Sequence, residues 1–154
     1  MLVILATLAM EALARPPVPG FVAGYEIAKG GTYMLEQIPA GETVKDWTRM
    51  ITTQRFAGVA QKTDAEGFLQ LMINGLEKGC PGAKIVYRRS VQSGAQIRID
   101  CPVNPATGRP ETFFAKAIAG SADMHVAQVA FRRVPSSTDV TWAEKYLAGA
   151  KLTP

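Results

Sequence analysis

The chain of 154 residues contains one histidine and two cysteines, and that scarcity removes several chemistries at once. A structural zinc site needs about four Cys, His or carboxylate ligands, so a histidine-rich metal site cannot be assembled around His125. The cysteines stand at 80 and 101, which rules out a C-x-x-C redox pair. No glycine-rich phosphate loop occurs either, because Gly30-Gly31 lacks the Lys-Ser/Thr that follows in a P-loop. Charged residues make up only 19% of the chain, the net charge is +4, and there is no long Lys/Arg run, so nucleic acid is not an expected partner. After the start there is no apolar run of the ~18 residues that would read as a spanning helix. Internal repeats and low-complexity blocks are also missing.

What is present is a globular mixture, 47% apolar, of a length that makes one domain. Residues 1–14, MLVILATLAMEALA, hold an apolar stretch from Leu2 to Met10 and end in Ala12-Leu13-Ala14, the small-x-small pattern read by a signal peptidase. The stretch departs from the usual leader in having no basic start, and it is shorter than the ~20 residues a spanning helix takes. The reading is a signal peptide over 1–14 cleaved after Ala14, a Pro-rich lead-in over 15–20, and a single domain over 21–154. It places the protein in the periplasm or outside the cell.

Within 21–154, Tyr25–Ala28 and Thr32–Ile38 flank Lys29-Gly30-Gly31, where paired glycines suit the positive φ of a hairpin turn. Thr43-Val44-Lys45-Asp46 reads as a helix cap, and Val44, Trp47, Met50 and Ile51 follow at helical spacing, which predicts a helix from Thr43 to Arg55. A second cap, Thr63-Asp64-Ala65-Glu66, opens a helix over Phe68, Leu69, Leu71, Met72, Ile73 and Leu76 that stops at Gly79. Strands are predicted at Lys84–Val91, Ala95–Cys101, Glu111–Ala119 and Met124–Val134, with a terminal helix starting near Thr141. Neighbouring hairpins with helices grouped outside them give an α+β class: an antiparallel sheet with helices packed on it.

The segment from Cys80 to Cys101 carries the strongest local signals. Two cysteines in an exported chain favour one disulfide, Cys80 to Cys101. A three-residue loop Gln92-Ser93-Gly94 puts Val91 opposite Ala95 and Ile85 opposite Cys101. Ile85, Tyr87, Val91, Ile97, Ile99 and Cys101 then share the apolar face. The same register gathers Lys84, Arg88 and Arg98 on the other face, with Arg88 directly across from Arg98. Like charges so placed destabilise a strand pair unless a negative group lies between them. Asp100, Glu66 or Glu77 could neutralise them internally; alternatively an acidic protein or another anionic envelope component completes the surface.

The order of hairpin, Trp-bearing helix, longer helix, antiparallel strands and final helix includes "GETVKDWTRMIT" early and "FFAKAIAGSADMHVAQVAFRR" late. It resembles small exported bacterial domains of the PsbP/Mog1/DcrB-like type over most of residues 21–150. The resemblance implies an α/β/α sandwich, no cofactor and a non-catalytic default. Two rivals stay open beside a binding or accessory domain. One is a small hydrolase or other enzyme using His125 with a nearby Ser or carboxylate; the other is a structural subunit of an envelope assembly. His125 shares a strand face with Ala127, Val129 and Phe131, which favours a structural imidazole.

Overall fold

A computed structural model describes residues 10–154, so residues 1–9, and with them most of the expected leader, lie outside the described residues. In chain order the elements are β1 Ala12–Ala14, β2 Phe21–Lys29, β3 Thr32–Pro39, β4 Arg49–Phe56, α1 Ala65–Gly79, β5 Lys84–Val91, β6 Gly94–Asn104, β7 Arg109–Ala119, β8 Met124–Phe131, α2 Ser137–Gly149 and β9 Lys151–Thr153. Seven strands form one antiparallel sheet in the order β2-β3-β4-β8-β7-β6-β5, and β1 pairs separately with β9. Ala115 and Ala117 of β7 pack under α1 with Phe68, Leu69 and Ile73, whereas Phe114 packs under α2 with Tyr146 and Leu147. Adjacent strand residues point to opposite faces, so the two helices cover opposite sides of the sheet.

The first hairpin forms around Gly30-Gly31, since Lys29 pairs with Thr32 and both glycines hold positive φ, 61° and 80°. The α1 helix starts where Asp64 caps it by accepting the Gly67 N–H at 2.8 Å. The α2 helix begins at Ser137, earlier than the expected Thr141. Ser136 and Asp139 form a reciprocal capping box there that starts the helix four residues sooner.

The helix expected from Thr43 to Arg55 does not form, because residues 49–56 are β4, a central strand between β3 and β8. Met50 buries on one face with Ile38 and Trp47, and Ile51 buries on the other with Phe114 and Phe131. A strand buried on both faces shows no polar alternation, and its apolar residues can fall at helical spacing by coincidence. The β-branched run Ile51-Thr52-Thr53 favours the extended form. The cap survives as a turn in which the Asp46 N–H donates to Thr43 Oγ1 at 3.1 Å. Arg132 holds that turn: its guanidinium lies 4.1 Å over the Trp47 ring and donates to the Lys45 carbonyl at 2.9 Å.

The N-terminal residues that are described belong to the fold. Ala12, Leu13 and Ala14 pair with Thr153, Leu152 and Lys151, and Leu13 and Val18 pack against the cluster under α2. The Glu11 carboxylate accepts the Ser121 N–H at 2.7 Å. Among the described residues, no helix is long and apolar enough to cross a membrane.

Candidate functional site

Cys80 caps the C-terminus of α1 and is joined to Cys101 on β6, with Cα atoms 6.0 Å apart. The bridge therefore ties the end of a helix to the sheet beneath it. Beyond this point the hairpin departs from the expected register. Val91 pairs with Gly94, leaving a two-residue loop, Gln92-Ser93, and Ser90 rather than Val91 faces Ala95. Gly94 can pair here because its Cα lacks a side chain: a Cβ would come within 2.1 Å of the Ala117 carbonyl oxygen on β7. A bulge at Val86 then restores the parity lower down, so Ile85 pairs with Ile99 instead of Cys101.

This shift moves Arg88 away from Lys84 and Arg98, which the expected register had gathered on one face with it. Arg88 is opposite Ile97, on the α1 face, and Arg98 is opposite Tyr87, on the α2 face. Arg88 donates to Gln70 of α1 at 2.5 Å, and beside it Ser90 donates to Glu66. Arg88, Ser90 and Glu66, with Leu69, Ala95 and Ile97, line a cleft of about 400 Å³ between α1 and β5. Arg98 forms a two-pronged pair with Asp100 at 3.0 and 3.1 Å and lies 5.2 Å over the Phe114 ring. Lys84 pairs across from Asp100 at the exposed start of β5. The expected Arg88–Arg98 opposition is therefore absent, and each guanidinium has its own neutralising or polar neighbour.

His125 lies on β8, flanked in the sheet by Arg55 and Ile118, and is only 3% exposed. Its Nε2 has no hydrogen-bond partner among the described residues, so no hydroxyl is held there as a nucleophile would be. Both cysteines are bridged. A cleft of about 330 Å³ adjoins the imidazole, covered by residues 10–13 and walled by Arg15, Tyr33 and Arg55. Arg15 reaches across to Gln37 and Thr53 at 2.9 and 2.6 Å, which fixes the covering segment.

No protein-family model and no curated protein matches the sequence. Among solved structures, the chain is similar to the Saccharomyces cerevisiae Ran-binding protein Mog1p, with a TM-score of 0.56 and 12% identity over 89% of this chain and 82% of that one. It is similar to a Mog1 point variant, with a TM-score of 0.57 and 13% identity over 88% and 79% of the two chains. A third similar structure is LpqN, a protein involved in cell envelope biogenesis of Mycobacterium tuberculosis, with a TM-score of 0.50 and 12% identity over 97% and 87%. The fold is of the Mog1/PsbP type.

In this Mog1/PsbP-like sheet the α2 face collects cations that sequence reasoning passed over. Arg89 lies 4.3 Å over the Tyr87 ring and 3.6 Å from Glu144 of α2. The Tyr87 hydroxyl accepts from Gln96 at 3.1 Å, and burial, reinforced by Glu144, pushes its pKa up to about 12. Lys116, only 5% exposed, donates to the Leu147 and Ala150 carbonyls at 3.1 and 2.7 Å, and burial lowers its pKa. One signal could have found it. A lone lysine inside the apolar run Phe113-Phe114-Ala115-Lys116-Ala117-Ile118 is an ammonium that must meet a partner indoors.

Burial also holds the His125 pKa below 6.5; Asp123 and Glu11 oppose that shift and Arg55 adds to it. The unfolded chain thus takes up a proton near that value which the folded chain resists. Stability is full above the unfolded pKa and declines as pH falls below it. The melting temperature is expected to drop between about pH 7.5 and about pH 5.5, and His125→Gln to flatten the drop. A flat wild-type profile over that interval would contradict a buried neutral imidazole.

Proposed function

We propose that the chain is a non-enzymatic exported domain that binds an acidic, extended segment of another cell-envelope component along the free edge of β5. The observation that carries this reading is the edge itself: β5 ends the seven-stranded sheet, most of its residues are exposed, and its sequence KIVYRRSV bears Lys84, Arg88 and Arg89 with no carboxylate. An edge strand offers unpaired backbone donors and acceptors that an incoming strand can complete. Cations along it discourage pairing with a like strand and favour an oppositely charged one. Lys84 and Arg88 project to opposite faces but flank the same rim, so an acidic strand would meet both. Arg98, held by Asp100, shapes the α2 side of the hairpin. Mog1p, named for binding Ran, and LpqN, described by its part in envelope biogenesis, support a binding role for this fold.

A second reading, a structural subunit of an envelope assembly, draws on the opposite edge. There Val22, Tyr25 and Ile27 of β2 form an exposed apolar row, 36–46% accessible. Capture of partners from periplasmic extract, identified by mass spectrometry, separates the two. The double variant Lys84→Glu/Arg88→Glu is expected to lose the captured component while keeping the wild-type melting temperature. Undiminished capture by that variant would overturn the β5 reading, and loss through Ile27→Glu alone would move the interface to β2.

A further inference from the structure

The tip of the β5–β6 hairpin and the C-terminal half of α2 enclose a cleft of about 710 Å³, roomier than either cleft described above. Arg89, Lys116, Lys145 and Lys151 line it against a single carboxylate, Glu144, which already sits 3.6 Å from Arg89. Four cations against one anion leave +3 at this one place, in a chain whose total is +4. The four come from β5, β7, α2 and β9, so the concentration is made by tertiary structure rather than by a basic run in the sequence.

The C-terminal end of a helix carries partial negative charge and would ordinarily repel an anion. Here Lys116 donates to the Leu147 and Ala150 carbonyls and offsets that pole from below. An ammonium has three donors, and these bonds use two of them. The hairpin tip adds the uncharged polar groups of Gln92 and Ser93. Ser93 holds a left-handed φ of 73°, a conformation uncommon outside Gly, Asn and Asp, so the tip keeps its shape against local preference.

We propose that this cleft binds a compact small molecule bearing two or more phosphoryl groups, with Arg89, Lys145 and Lys151 around the phosphates and Lys116 beneath them. Its volume lies within the range of roughly 300–1,000 Å³ typical of small-ligand sites. Phosphoryl groups supply dense negative charge, and Lys and Arg hold them through charge-assisted hydrogen bonds. The site shares Arg89 with the β5 rim, but Lys84 and Arg88 do not line it, so the two can be tested apart.

The test is titration of the full chain, at fixed ionic strength, with inorganic pyrophosphate and separately with soluble dihexanoylglycerol pyrophosphate, a lipid analogue that also bears two phosphoryl groups, followed by backbone amide chemical shifts. Saturable binding is expected, with shifts confined to residues 89–96, Lys116 and residues 144–151. The variant Lys145→Gln/Lys151→Gln, altered at two exposed side chains, should bind roughly tenfold or more weakly. Lys84→Glu/Arg88→Glu should bind as the wild type does, so failure here and failure of the β5 reading are told apart. Tighter binding of pyrophosphate assigns a free polyanion, and tighter binding of the lipid analogue assigns a headgroup. Absence of saturable binding by both probes, or wild-type affinity in the lysine variant, overturns the proposal.

Discussion

Reduction of the Cys80–Cys101 bridge is expected to lower the melting temperature by roughly 10 °C. The bond closes a loop with a sequence separation of 21. Loop-closure entropy gives about 3 kcal/mol for that length, a large fraction of the ~5–15 kcal/mol by which domains are stable. The bridge also anchors the last turn of α1, whose packing on β6 and β7 buries Phe68, Leu69 and Ile73. Both sulfurs belong to buried residues, 5% and 2% exposed, so a reductant acts only when the chain opens. Thermal scans with and without reductant, beside the Cys80→Ser/Cys101→Ser variant, measure the effect. Coincident curves would show that the bridge contributes no stability, and a free thiol in denatured, oxidised protein would show that it is not formed.

A loss of similar size is expected from Glu111→Ala. Glu111 is 4% exposed; its carboxylate accepts from Arg132 Nε at 3.1 Å and from Asn104 Nδ2 at 2.9 Å. The Arg132 side chain is itself only 12% exposed. Removing one partner of a buried pair strands the other charge, at a cost of about 3–5 kcal/mol. The consequence spreads, because Arg132 also holds the 43–48 turn through the Lys45 carbonyl and the Trp47 ring. Denaturant titration is expected to show a shifted midpoint at unchanged slope. The double variant Glu111→Ala/Arg132→Met should recover part of the loss, since no charge is then left buried alone. A cost below about 1 kcal/mol for Glu111→Ala would mean that water reaches the pair and screens it.

The contrast between Met50–Ile51 and Phe68–Ile73 shows what the amino-acid order revealed and what it hid. In α1 one face meets the core and one meets solvent, so the periodicity could be read directly. In β4 both faces are covered, and the spacing of Met50 and Ile51 was indistinguishable from that of a helix. The strands β5, β7 and β8 and the bridge were legible because turn residues, alternation and cysteine number each constrain them locally. The register of the β5–β6 hairpin was not, because it is set by the approach of Gly94 to β7 and by a bulge at Val86, both products of tertiary contact. One residue of slip was enough to move Arg98 away from Arg88. The cluster of Arg89, Lys116, Lys145 and Lys151 was hidden for the same reason, being scattered along the chain and joined only by folding.

The pairing of Ala12–Ala14 with Lys151–Thr153 imposes an order of events on any processing at residue 14. The peptide bond after Ala14 ends a segment zipped to the last strand of the described chain. A protease needs that bond extended and unoccupied, so it competes with the annealing of β1 to β9. Cutting early and closing late, or closing early and escaping the cut, would yield two different surfaces over His125 from the same polypeptide.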